Sequence, residues 1–277
     1  MEYLSNAHTH STFCDGKATI EEMVQQALAL GFTDLGFSSH SPAPFDPSCP
    51  GIQDEKAYKK AVEDLARKNA GKLAISLGIE WDYFSDLQET YDYTIGSVHY
   101  FSPRNGEYRS VDQSPELLAE TLQEWFQGDV LAMVRDYYQL VIQHVRQNHP
   151  TIVGHFDLIA KFNDRIHYLD EVDEEYQSIA AEALLSVARE LKTYGGMVEV
   201  NTGGVSRGWK QTAYPDDFLL TLLQQENIPI ILSSDSHEPA TLNFGFKEEL
   251  ERLRKLGFKE VTVLTNGKFE KRRLAES

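Results

Sequence analysis

The chain has 277 residues, with 26 Lys and Arg against 43 Asp and Glu, for a formal charge of −17. At 41% hydrophobic and 25% charged, this is the composition of a globule with ample material for a core, in the size range of one α/β barrel. Such acidity speaks against a nucleic-acid or anionic-membrane surface, because both are bound through clustered Lys and Arg.

In chain order, short apolar runs alternate with long amphipathic stretches. Strands are expected near 3–8, 34–38, 73–79, 93–99, 151–154, 197–200, 228–233 and 260–264, and helices near 20–30, 54–69, 115–126, 129–148, 173–194, 216–226 and 247–256. Thr19 followed by Glu22 predicts a capping box at the first helix, which Gly31 ends. Val130, Val134, Tyr137, Val141 and Val145 share one face of the 129–148 helix. The alternation, without a linker or low-complexity tract, predicts one parallel-sheet domain over 1–277. About thirty residues separate the fourth strand from the 129–148 helix, and this 100–128 stretch is expected to cover an active site. No run reaches the roughly 20 apolar residues of a membrane span. The first residues resemble no signal peptide, and Cys14 and Cys49 are too few for a disulfide framework or a thiolate zinc site. A cytoplasmic protein is expected.

The candidate chemistry lies at the strand ends. His8 and His10 close the first strand, where positions i and i+2 project to one face. Asp15 follows the first strand, His40 the second, Glu80 the third, His99 the fourth, His155 the fifth, and Asp235 with His237 the seventh. In a closed parallel barrel those ends meet on one rim, where barrel enzymes keep their reactive groups. Six of the nine histidines fall at these junctions; His144, His149 and His167 suit a helix end or solvent. Imidazole and carboxylate without thiolate suit zinc, manganese or iron. Nine ligands exceed the needs of one ion, which points to two or three divalent metals with a shared carboxylate.

His8-Thr9-His10-Ser11, Asp15-Gly16, Ser38-Ser39-His40, Gly78-Ile79-Glu80, Gly96-Ser97-Val98-His99, Gly154-His155-Phe156-Asp157 and Ser234-Asp235-Ser236-His237 resemble, in order and spacing, the PHP (polymerase and histidinol phosphatase) family. Gly154 to Ile159, and Glu199-Val200-Asn201-Thr202-Gly203-Gly204 with Arg207, are similar to its monofunctional histidinol-phosphatase branch. The resemblance implies a distorted (β/α)7 TIM-like barrel with a metal centre at the C-terminal rim. It further implies one metal on His8, His10, Glu80 and Asp235, a second on Glu80, His99 and His155, and a third on Asp15, His40 and His237. The eighth apolar run does not fit seven strands; it would close the bottom, add an edge, or form no strand.

The implied activity is hydrolysis of a small phosphomonoester, with L-histidinol phosphate the leading candidate and a metal-bound hydroxide as nucleophile. Arg207 and Lys161 are the candidate phosphate ligands, with Arg104, Arg109 and Arg165 as further basic side chains. Other phosphoesters (phosphotyrosine, a nucleotide, a DNA end) and a non-catalytic metal-binding barrel stay open at this stage. The sequence leaves the oligomeric state open as well.

Overall fold

The computed structural model describes residues 5–274. Among the described residues nine strands run in the order β1 (Ser5–Asn6), β2 (Asp34–Phe37), β3 (Ala74–Asp82), β4 (Tyr93–Ser97), β5 (Ile152–Val153), β6 (Met197–Asn201), β7 (Ile230–Ser233), β8 (Glu260–Thr265) and β9 (Lys268–Arg273). Each pairs with the next along one sheet, parallel from β1 to β8 and antiparallel between β8 and β9. The helices are α1 (Ile20–Ala29), α2 (Glu55–Lys68), α3 (Pro115–Phe126), α4 (Val130–Asn148), the short α5 (Asn163–Ile166), α6 (Glu174–Tyr194), the short α7 (Gly203–Ser206), α8 (Asp217–Gln225) and α9 (Phe246–Lys255).

Local chemistry explains the helix starts. Thr19 and Glu22 form the expected capping box, and Asp54, Ser114, Asp129, Asp173 and Asp216 each accept a hydrogen bond from the first turn of the helix that follows. These side chains satisfy N–H groups that have no partner inside the helix. The unexpected α5 and α7 are single turns, too short to show a periodicity.

Two strand expectations are corrected and a third is borne out. Residues 3 and 4 of the first run lie outside the described residues, and the ladder of β1 stops at Asn6, after which Thr9 makes a single parallel bridge to Ser236. The third strand continues to Asp82 because its last residue pairs with Ser97, so Glu80 lies inside the strand and not past its end. The eighth run is a strand: β8 pairs with β7 through Thr262 and packs on β1 and β2 at the base. Asn266 and Gly267, both at positive φ, form the two-residue turn into β9, and the Asn266 N–H donates to Asp34 at the start of β2. Seven strand ends therefore meet at the rim, while β8 fills the gap between first and seventh strands at the bottom. A distorted (β/α)7 TIM-like barrel results.

The barrel interior is layered. At the base Ala7, Tyr93, Ile95, Ile152, Met197, Ile231 and Leu264 form an apolar cluster distinct from the larger core beneath the helices. Strand alternation carries the same inward face upward, from Ile95 to Ser97, from Met197 to Glu199 and Asn201, and from Ile231 to Ser233. Space for the Tyr93 ring exists because β2 and β3 present glycines there: a Cβ on Gly36 would lie 2.1 Å from the Tyr93 hydroxyl, and one on Gly78 would lie 2.3 Å from Cζ. Gly78→Ala should therefore destabilise the fold by about 1–3 kcal/mol through overpacking. Urea midpoints measure it, and an unchanged midpoint would refute this packing of the ring.

Candidate metal centre

The rim gathers all nine expected ligands. His8 and His10, on the extended chain after β1, have ring centroids 5.1 Å apart. Glu80 is the hub. Its Oε2 lies 3.3 Å from His8 Nε2, 3.4 Å from His10 Nε2 and 2.9 Å from His40 Nδ1. Its Oε1 lies 2.8 Å from His155 Nε2 and 3.1 Å from His99 Nε2, and accepts a hydrogen bond from Ser97 at 2.8 Å. Asp235 Oδ1 is 3.1 Å from His10 Nε2 and 3.6 Å from His8 Nε2. At the outer edge Asp15 meets His237 Nε2 at 3.2 Å, His40 Nε2 at 3.6 Å and His10 Nδ1 at 3.7 Å.

These residues fit metal ions. His8 Nε2, His10 Nε2 and Glu80 Oε2 are buried and make no hydrogen bond, yet converge on one point with Asp235 Oδ1. The two imidazole nitrogens lie 3.1–3.6 Å from the two carboxylate oxygens, and bonds of 2.0–2.1 Å to a tetrahedral zinc give donor–donor edges of ~3.3 Å. Three groups could each hold an ion: His8, His10 and Asp235; His40, Glu80 and His99; and His10, Asp15, His40 and His237.

Electrostatics follow from packing carboxylates and imidazoles together out of water. Burial opposes charge on His8, but Glu199, Glu80 and Asp235 outweigh it and hold its pKa well above the usual value. His99 is likewise raised well above, against burial, chiefly by Glu80 and Asp82. His10 has the opposite fate: burial and the neighbouring His237 and His40 push it down to about 3. Glu80 and Asp235 are held well below the carboxylate range despite burial, Glu80 by His40, His8 and His99, Asp235 by Arg207 and His8.

Asp235 sits at φ 50°, a left-handed conformation unusual for a residue with a side chain. Arg207 grips it twice, Nη2 donating to Oδ2 at 2.8 Å and Nη1 to the backbone carbonyl at 3.0 Å. A Cβ on Gly203 would lie 2.6 Å from Arg207 Nη2, so this grip requires glycine there. Lys161 donates to the Asp112 carboxylate at 2.8 Å and carbonyl at 2.9 Å. Both basic side chains line the same cleft of about 270 Å³ as seven of the nine ligands; His8 and His10 lie fully buried behind Glu80 and Asp235.

The remaining basic candidates stand elsewhere. Arg104 and Arg109 stack on Trp125, Arg109 also pairing with Glu107 and Glu124, and Arg165 stacks on Trp209. Their aromatic platforms draw them away from the cleft. The 100–128 stretch does contribute to it through Tyr100, Ser110, Asp112 and Gln113. His149 and His167 terminate α4 and α5, as a helix-end reading expects. His144 does not: it is buried against Trp81, whose carbonyl lies 2.7 Å from Nε2, because α4 packs this face on the end of β3.

Sequence reasoning missed the groups that hold the ligands. Asp82 accepts from the His99 N–H at 3.0 Å and lies 3.4 Å from its Nδ1. Glu199 takes His8 Nδ1 at 2.6 Å. Its signal was alternation: Met197, Glu199 and Asn201 share the inward face of a strand whose other positions are Val198 and Val200.

The model for the family described as "PHP domain" matches residues 6–203. A Deinococcus radiodurans protein named probable histidinol-phosphatase is 30% identical, the match covering 95% of this chain and 97% of that protein. The Bacillus subtilis histidinol-phosphatase is 24% identical over 89% of this chain and 98% of its own length. Among solved structures, a histidinol phosphate phosphatase of Lactococcus lactis complexed with zinc, L-histidinol and phosphate has a TM-score of 0.70 at 21% identity, covering 97% of this chain and 99% of that one. The structural likeness is one of fold.

Because the converging donors lack partners, zinc should bind the folded chain and not the unfolded one. Chelator-treated protein should gain about 2.7 kcal/mol of stability at zinc a hundredfold above its dissociation constant. Asp235→Asn should gain less. Thermal melts with and without zinc check this, and a melt indifferent to zinc would count against a metal centre.

Proposed function

This chain belongs to the PHP domain family, and from that premise and the geometry of the rim we propose that it is a metal-dependent phosphomonoesterase converting L-histidinol phosphate to L-histidinol and phosphate in histidine biosynthesis. The observation carrying the reading is that one small cleft unites the ligand cluster with two cations, the buried Lys161 and Arg207, which is anchored on Asp235. Two or three divalent transition metals, zinc, iron or manganese, would be held there. His8, His10, Glu80 and Asp235 would hold the first, Glu80 with His99 and His155 the second, and Asp15, His40 and His237 the third. Glu80 suits a shared position because its two oxygens face different imidazoles. Bound divalent metals supply Lewis acidity toward phosphoryl oxygens and water activated near neutral pH.

The chain's own groups then orient the ester. Arg207 keeps donors beyond the two spent on Asp235, since a guanidinium carries five N–H groups. They would fork onto phosphate oxygens and stabilise the charge that grows on them. Lys161 acts as a point charge fixed by Asp112. Asp46 and Asp112 give the cleft an acidic side that suits a leaving alcohol bearing an ammonium group. The cleft volume of about 270 Å³ suits a small ester better than a nucleic-acid strand. The two cysteines, both unpaired, accord with work in a reducing cytoplasm.

A phosphate-release screen across histidinol phosphate, phosphotyrosine, simple sugar phosphates and a short 5′-phosphorylated DNA, with and without chelator, tests the proposal. The expected result is chelator-sensitive release, fastest from histidinol phosphate. Release from none of them would favour a non-catalytic barrel, and preference for another ester would move the substrate. His10→Ala should abolish turnover while the apolar base of the barrel keeps the fold. Arg207→Ala should lower kcat/KM roughly 30- to 1000-fold, the loss of a charge-assisted contact of about 2–4 kcal/mol. Arg207→Lys should restore only part of it; wild-type values for both would dismiss Arg207 and leave Lys161 as the phosphate ligand.

A further inference from the structure

Of the seven strands that reach the rim, β6 alone brings no candidate metal ligand; it brings Glu199. This carboxylate is fully buried, one inward layer below the metal ligands, and its acceptor sites are filled. Oε1 accepts from His8 Nδ1 at 2.6 Å and from the Ser233 hydroxyl at 2.5 Å, and Oε2 from the His155 backbone N–H at 2.9 Å and from Asn201 Nδ2 at 2.9 Å. A carboxylate offers about four lone-pair positions, so none is left for a metal. Its donors come from the chain after β1, the chain after β5, β7 and β6 itself. Asn201 carries the network on to Asp235 Oδ2 at 3.4 Å.

We infer that Glu199 is a positioning residue that sets the register of two metal sites at once. By accepting the Nδ1–H of His8 it fixes the tautomer in which Nε2 has its lone pair free, and Nε2 is the atom that faces Glu80 and Asp235 without a hydrogen bond of its own. By accepting the N–H of His155 it fixes the backbone that carries the ring contacting the other oxygen of Glu80. A carboxylate behind an imidazole also raises its basicity as a ligand. His10 has no equivalent: its Nδ1 faces the Cys14 sulfur at 3.4 Å, with Asp15 at 3.7 Å. Orientation of the first site therefore falls mainly on the His8–Glu199 pair. A purely structural carboxylate has a counterpart in the same chain, since buried Glu55 is saturated by the Gln88 and Glu89 N–H groups and the Tyr91 hydroxyl.

This inference rests on the metal-centre reading, and its test separates the two. The wild-type protein labelled with ¹⁵N-histidine and loaded with zinc should show a strongly deshielded, exchange-protected ring Nδ1–H, on a ring whose Nε2 resonance is shifted by the metal. In Glu199→Gln that proton should move or vanish, because an amide nitrogen must then face donors on one side of the network. The zinc dissociation constants of the two sites served by His8 and His155 should rise, that of the His8 site ~10- to 100-fold, as for other residues that orient a metal-bound histidine. Glu55→Gln should lower thermal stability and leave zinc affinity unchanged. If Glu199→Gln binds zinc as tightly as wild type with the ring signal intact, the inference is overturned. Should Glu199→Gln fail to fold, the wild-type spectrum still decides, and absence of a protected Nδ1–H in the loaded protein overturns it. If the wild type takes up no zinc at all, the metal-centre reading itself fails.

Discussion

One buried carboxylate organises this protein. The two oxygens of Glu80 lie within 3.4 Å of imidazole nitrogens from His8, His10, His40, His99 and His155. A carboxylate removed from water is expensive unless opposite charge and hydrogen bonds surround it. The surrounding rings can meet that need as imidazolium or as fellow ligands of a cation. Those rings are also desolvated and hard to place, so the barrel rim must hold them from several strands at once. Glu80 can occupy the centre because β3 runs to Asp82, which places it inside a strand that is paired on both sides.

The layered interior is the means of holding them. Alternation along each strand sends every second side chain toward the axis, so neighbouring strands stack their inward residues at matching heights. At the base those residues are apolar, and at the rim they are imidazoles and carboxylates able to hold a metal. Between lies a thin polar layer, Ser97, Glu199, Ser233 and Asn201, whose hydrogen bonds reach the candidate ligands or join its own members to one another. Removal of that layer would leave His8 Nδ1 and the His155 backbone N–H without their acceptor. Asp235 adds a local device: its left-handed backbone is unfavourable for an aspartate, and the double grip of Arg207 supplies compensating contacts at the same spot.

The helices and long loops serve this rim at a distance. The 100–128 stretch is folded back on itself and fixed by Arg104 and Arg109 over Trp125, so Tyr100 and Asp112 face the cleft from a supported segment. The same stacking explains why two arginines that look available in the sequence take no part in the cleft. His144 shows the converse, a histidine near a helix end that turns inward onto the Trp81 carbonyl.

The helices and the side chains that gather at the rim were legible in the sequence because both are written locally. Caps such as Thr19 with Glu22, and apolar periodicities such as that of α4, act over a few residues. Ligands at strand exits repeat a pattern that one strand suffices to express. The Asn-Gly turn after β8 is equally local, yet the strand it leads into, β9, was not among the expected elements. Contacts across the barrel were not legible. That Glu199 meets His8, 191 positions away, that Arg207 grips Asp235, and that β8 closes the base while Thr9 and Ser236 close the rim are consequences of ring closure. The sequence by itself determined which side chains are presented at the barrel mouth, because strand and helix periodicities are short-range. Only the tertiary structure decided which of them touch, because that depends on the stagger and twist summed around the whole sheet.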